Sequence, residues 1–257
     1  MTVMTRIIAI TNQKGGVGKT TTAVNLAASL GTMFRRVLLV DLDPQGNATM
    51  GSGIDKRTLP ATVYQVLLGE KQVAEVRQRA AHAAYDVLPS NRELAGAEVE
   101  LVDIDHRETR LKSALEAIAA DYDFILIDCP PALNLLTLNG LTAAQAVMIP
   151  MQCEYYALEG LTYLVGTIKR VREHLNPGLE IEGLLRTMHD PRNTLAQQVS
   201  AQLLQHFGDK VYRTVIPRNV RLAEAPSHGL PVLEFDRASK GAQAYLGLAG
   251  EMLNRHA

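Results

Sequence analysis

Short apolar runs and longer amphipathic runs take turns along this chain. Residues 6–11 (RIIAIT), 36–41 (RVLLVD), 124–128 (FILID) and 146–151 (AVMIPM) are nearly continuous in apolar and β-branched side chains, as strands covered on both faces are. Residues 85–89 (YDVLP), 181–188 and 211–216 carry weaker forms of the same signal. Between them, residues 20–30, 109–120, 158–174, 195–207 and 239–255 read as helices, and Asn176-Pro177-Gly178 stops the third of these. The alternation predicts an α/β fold, a mostly parallel, doubly wound β-sheet flanked by helices and built by right-handed crossovers. Ligands of such sheets sit beyond the carboxyl ends of the strands. Residues 51–79 are the least regular and read as a flexible excursion. No linker, repeat or low-complexity segment divides the chain, so residues 1–257 read as a single domain.

Composition narrows the picture. The 257 residues, 47% of them apolar, suffice for a well-buried core. The formal net charge is −1, so any nucleic-acid contact must come from a local patch. Cys129 and Cys153 are the only cysteines, and neither they nor the seven histidines have ligand spacing. That reads as buried structural thiols in a reducing compartment and as no transition metal. The first residues lack the apolar core of a secretion signal, and no apolar run is long enough to span a bilayer, so the expectation is a soluble, cytoplasmic protein.

The chemistry begins at Lys14–Thr20, KGGVGKT, between the first predicted strand and the first predicted helix. A glycine-rich turn there leaves backbone N–H groups free to wrap phosphate oxygens, and the helix N-terminus adds partial positive charge. Glycine suits the turn because a Cβ would obstruct both the dihedrals and the close approach. Lys19 is placed to reach the β- and γ-phosphates of a nucleotide and the Thr20 hydroxyl to ligate Mg²⁺. The segment departs from the common phosphate-loop pattern at one point: Gln13 stands where that pattern has its first glycine, and a second lysine, Lys14, opens the loop.

Three carboxylates fall at the carboxyl ends of predicted strands: Asp41 and Asp43 in RVLLVDLDPQGN, and Asp128 in FILIDCPP. An aspartate ending a buried apolar strand is costly unless it meets a cation or donors, and a Mg²⁺–phosphate cluster supplies both. The plainer alternative, a cap on the following turn, applies to Asp43-Pro44 and to Asp128-Cys129-Pro130.

Together, KGGVGKT, VDLDPQGNAT and IDCPP resemble the deviant Walker ATPases, and CEYYALEGL and IPRNVRLAEAPSHG narrow the resemblance to the ParA/Soj ATPases that partition chromosomes and plasmids. It runs from residue 7 to about residue 253. The resemblance implies an ATPase, slow alone and stimulated by a ParB-type centromere-binding partner and DNA, with ATP and Mg²⁺ as ligands. It implies that Lys14 crosses the interface of an ATP-bound homodimer to touch the other subunit's phosphates, and that Gly15, Gly16, Val17, Gly18, Lys19, Thr20 and Thr21 cradle the subunit's own. By the same resemblance Asp43 positions the attacking water, Asp41 and Asp128 lie around Mg²⁺ and the switch segment, and Pro217 and Asn219 hold the adenine.

The family's ATP-bound dimers bind double-stranded DNA without sequence preference, which implies a nucleoid-associated protein. Arg192 in HDPRNT, with Arg218 and Arg221 in IPRNVR, are the candidate phosphate contacts, in segments that read as loops. Lys169, Arg170 and Arg172 form a second candidate, more simply read as a solvated helix face. Only a few residues precede the phosphate loop, so no N-terminal helix-turn-helix domain is expected. The competing reading is a MinD-type membrane-cycling ATPase, which needs a basic, amphipathic terminal helix. The ending EMLNRHA offers a single arginine, Arg255, so no membrane partner is expected.

Overall fold

The apolar runs become the strands of one eight-stranded sheet: β1 Arg6–Ile10, β2 Val37–Asp41, β3 Gln78–Arg79, β4 Asp86–Leu88, β5 Phe124–Asp128, β6 Ala146–Gln152, β7 Glu180–His189 and β8 Val211–Pro217. The structure, a computed structural model, describes residues 5–256. The spatial order is β3-β4-β2-β5-β1-β6-β7-β8, and every pairing is parallel except β3 with β4.

Period-two alternation sends successive side chains to opposite faces. Ile7, Ala9, Leu38, Val40, Ile125 and Ile127 join one core layer, and Ile8, Ile10, Val37, Leu39, Phe124 and Leu126 the other. The first layer is closed by helices Arg110–Glu116, Leu135–Ala143, Ala157–His174 and Thr194–Phe207, the second by Lys19–Thr32 and Lys240–Arg255. This is the doubly wound α/β fold that the alternation predicts.

Three readings are corrected. Residues 51–79 are not a loose excursion. They hold helices Val63–Leu68 and Val73–Val76 and the edge strand β3, and Val63, Val66, Leu67, Val73 and Val76 are buried in the first core layer. A capping box fixes the start of the first of these helices, with Thr62 and Gln65 exchanging bonds to backbone N–H groups. Each piece is too short for periodicity to register. Helix Leu135–Ala143 lies in a stretch assigned to no element: seven of its nine residues are buried, so no polar face marks it. The predicted helix at 109–120 narrows to Arg110–Glu116, flanked by single 3-10 turns.

Register gathers the site. Ile10 at the end of β1 pairs with Asp128 at the end of β5, and Asp128 with Asp41 at the end of β2. The chain runs from β1 across β5 to β2 and from β5 across β1 to β6, so the connections from these neighbouring strands diverge, which opens a crevice at their carboxyl ends.

Candidate nucleotide-binding site

The glycine loop turns sharply out of β1. Gly16 and Gly18 have φ of 73° and 87°, in the left-handed region that glycine tolerates. Gly18 is the N-cap of the helix Lys19–Thr32, with no side chain bonded to the helix's first N–H groups and no acidic residue in its first turn. Those donors therefore face the loop's concavity, as an anion site requires. A Cβ at Gly15 or Gly16 would meet nothing within 4 Å, so the space above the loop is open. The Thr187 hydroxyl, from β7, holds the loop from behind by donating to the Val17 carbonyl at 2.8 Å.

The loop's two lysines point to different places. Lys19 is buried, and its ammonium donates to the Lys14 carbonyl at 3.2 Å. Burial pulls its pKa down, an effect opposed by the charges of Asp128 and Asp43. Lys14 lies outside, its side chain 45% exposed and ion-paired with Glu154 just beyond β6. Asn12 orders the loop's entry by accepting from the Lys14 N–H at 3.0 Å and donating to the Pro150 carbonyl at 2.8 Å.

The carboxylates divide as well. Asp41 is fully buried and fully engaged: it accepts from the Thr49 N–H at 2.8 Å, the Thr49 hydroxyl at 2.7 Å and the Asp43 N–H at 3.2 Å. Asp128 is also buried, but among the described residues neither of its oxygens has a hydrogen-bond partner. The Thr20 hydroxyl faces it and eases its ionisation without reaching bonding geometry. Burial is the main force pushing both carboxylates up from the ordinary range, and the charge of Asp41 adds to it at Asp128. A buried carboxylate without donors is expensive. Set beside Thr20 and a buried lysine, it fits a divalent cation bound through water together with an anionic ligand. Asp43 is half-buried at the rim, and its carboxylate accepts from the Gln45 N–H at 2.9 Å.

On the helix side of the loop lies a cavity of about 310 Å³, lined by Gly18, Thr21, Met188, Pro217, Asn219 and Tyr245 among others. Pro217 and Asn219 therefore face the same hollow as the phosphate loop, and its lining is largely apolar, as a base requires. Asn219 spends its carbonyl oxygen on the Leu222 N–H at 3.3 Å, capping helix Val220–Glu224. That cap corrects the placement of Arg221, which lies on this helix and not in a loop.

The three DNA candidates differ. Arg192 is locked to Asp190 by two bonds of 3.0 and 2.8 Å, and Arg221 pairs with Glu224 at 2.8 Å and Asp236 at 3.2 Å. Arg218 is exposed and has no ion pair among the described residues. On the second patch, Lys169 pairs loosely with Glu173 at 3.8 Å. Both thiols are buried, with their pKa values raised mainly by desolvation. Tyr155 and Tyr156 are 73% and 68% exposed, next to Glu154.

Sequence reasoning passed over Thr49, Ser90, Glu154 and Thr187. Thr49 and Glu154 stand inside segments quoted as motifs, and Ser90 and Thr187 are polar residues at the carboxyl ends of strands, which is the usable signal.

A phosphate-sized concavity at the switch point of a parallel sheet, with a buried lysine at its floor, defines a P-loop nucleotide-binding protein. The protein-family model described as an AAA domain matches residues 5–181. The sporulation initiation inhibitor protein Soj of Bacillus subtilis is 56% identical over 249 residues, covering 97% of this chain and 98% of the relative. The chromosome partitioning protein ParA of Caulobacter vibrioides is 54% identical over 252 residues, covering 97% and 94%. A solved Mycobacterium smegmatis structure, described as cobyrinic acid a,c-diamide synthase with bound ADP and magnesium, superposes with a TM-score of 0.87 at 41% identity, covering 98% of this chain and 96% of that one. The chain belongs to the ParA/Soj family of partitioning ATPases.

Proposed function

We propose that this protein is an ATP-driven DNA-partitioning switch: ATP joins two copies, the joined form holds DNA through phosphate contacts, and hydrolysis, stimulated by a ParB-type partner, releases it. The observation that carries the reading is the opposite disposition of the two loop lysines, with Lys19 turned in and Lys14 turned out. A lysine on the outer lip of a phosphate loop can serve a triphosphate held by a facing copy. Lys19, the Gly18–Thr20 backbone and the partner copy's Lys14 would hold the phosphates; Thr20 and Asp128 would hold Mg²⁺, which would supply positive charge against the phosphoryl oxygens. The transition state of phosphoryl transfer is loose, so positioning and cations carry most of the catalysis. Asp43 at the rim orients the water.

Co-sedimentation with DNA tests this, run without nucleotide, with ADP and with a non-hydrolysable ATP analogue at two salt concentrations. Binding is expected only with the analogue and is expected to fall steeply with salt. Equal binding in all three nucleotide states ends the proposal.

Glu154 must release Lys14 before the lysine crosses. The pair is half-exposed, and such pairs contribute about 1 kcal/mol or less. Glu154→Gln is therefore expected to lower the ATP concentration for half-maximal dimerisation by no more than about fivefold. Light scattering across an ATP titration measures the shift, and an increase in the ATP required would contradict a holding role.

Arg218 joins the two halves of the cycle, since it lines the nucleotide cavity and is exposed, with no ion pair among the described residues. With saturating ATP analogue, Arg218→Ala is expected to weaken DNA binding equally for unrelated sequences and to reduce the slope of log affinity against log salt by about one. An unchanged slope would remove Arg218 from the interface.

Helix Lys240–Arg255 speaks against the MinD-type alternative: it turns Ala242, Tyr245, Leu248, Ala249 and Met252 into the core, and Leu246 and Leu253 pack partly against it, so its large apolar side chains are committed to the fold. Among the described residues no helix is long and apolar enough to cross a membrane.

A further inference from the structure

The segment that follows β4 is bonded to the loop carrying Asp43. Ser90, with no exposed surface, donates its hydroxyl to the Asp43 carbonyl at 2.8 Å. Its N–H donates to the Thr49 hydroxyl at 2.9 Å, and that hydroxyl donates onward to Asp41 at 2.7 Å. The chain is buried at Ser90, Thr49 and Asp41 and ties the loop after β4 to the end of β2. Gly46 completes the fit: its φ is 60°, and a Cβ there would stand 2.8 Å from the Ser90 carbonyl oxygen.

These contacts bear on the direction of Asp43. Its carboxylate makes one local bond, to the Gln45 N–H, so its aim follows the backbone beneath it. That backbone is bonded within the turn through the Gly46 N–H, and at its own N–H to Asp41. Among the described residues, the Ser90 hydroxyl is the one hydrogen bond that Asp43 receives from outside residues 41–46. A displacement of about 1 Å in a catalytic group can cost about a hundredfold in rate.

We propose that Ser90 is a positioning residue for hydrolysis: through its hydroxyl it sets the place of Asp43, with Thr49 transmitting the same constraint to Asp41. This rests on the reading of Asp43 as the group that orients water. A residue that merely stabilises the fold lowers the melting temperature and leaves the turnover of folded protein alone. A positioning residue lowers kcat at unchanged nucleotide affinity, and its effect vanishes when the group it positions is already disabled.

The test is a cycle of four proteins: wild type, Ser90→Ala, Asp43→Asn and the double variant. Phosphate release is measured at saturating ATP, and the dissociation constant is measured with a non-hydrolysable ATP analogue. Ser90→Ala is expected to lose about tenfold in kcat with its dissociation constant within about twofold of wild type, and to change the residual rate of Asp43→Asn by less than about twofold. Independent, multiplicative losses in the double variant overturn the proposal, as does a Ser90→Ala protein with wild-type turnover. If Ser90→Ala does not fold, Thr49→Ser and Thr49→Val decide. The first keeps the hydroxyl and is expected to keep turnover, the second to lose it, and equal rates for the two overturn the inference. Full turnover by Asp43→Asn alone removes the reading of Asp43 and this inference together, whereas multiplicative losses beside an inactive Asp43→Asn remove the inference only.

Discussion

Lys14→Ala is expected to stay monomeric at ATP concentrations that fully dimerise the wild type, while still binding ATP. Lys14 is exposed and bonded only at the surface, so its loss costs the folded monomer little. The joined form is different. A unit charge about 4 Å from another contributes about 4 kcal/mol at an effective dielectric of 20, and a two-fold dimer has two such contacts. Desolvation removes part of that. Even if a third survives, about 3 kcal/mol remains, roughly a hundredfold in the dimer constant. Without the lysines the two triphosphates also face each other uncompensated. Light scattering with a non-hydrolysable analogue reads the outcome, and a full-sized dimer of Lys14→Ala would show that this side chain does not join the copies. Lys19→Ala is a different lesion, because it empties the floor of the cradle and takes ATP binding with it.

Asp43→Ala is expected to retain ATP and the dimer while hydrolysis falls by a factor of about 10² to 10⁴, the usual contribution of a positioned proton acceptor. Asp43 is half-buried at the rim and not among the buried groups beneath the phosphates, so its removal spares binding. It also accepts from the Gln45 N–H, so alanine deletes a turn bond contributing about 1 kcal/mol. Asp43→Asn keeps that acceptor and loses the charge. The two variants should therefore differ in melting temperature and agree in turnover. Phosphate release without and with DNA and a ParB-type partner measures the loss, and wild-type turnover by either variant would assign the water to another group.

Much of this was legible because it depends on neighbours in the chain. Buried strands announce themselves as continuous apolar runs, and β2 and β5 do so clearly. A glycine loop between a strand and a helix needs its glycines in a fixed local order, and Gly16 and Gly18 take the positive φ that the order implies. The helices with a polar face, such as Ala157–His174, were readable from their period. Leu135–Ala143 was not, because burial on nearly every side erases the period. Nor were Val63–Leu68 and Val73–Val76, each under two turns long, whose order comes from the core beneath them.

The chain's own order pointed to a phosphate cradle and singled out its candidate lysines and aspartates, since loop, helix start and strand ends are local features. Tertiary structure alone decided how those residues differ. Asp41 and Asp128 look alike in sequence, yet Thr49 folds back to satisfy one and no described residue satisfies the other. Lys14 and Lys19 are five residues apart on one loop, yet one is buried and the other meets Glu154 from a distant strand end. Among the described residues, Arg192 and Arg221 are paired with carboxylates and Arg218 is not. Partners, burial and the direction of a charge arise from segments far apart in the chain, and local patterns carry no record of them.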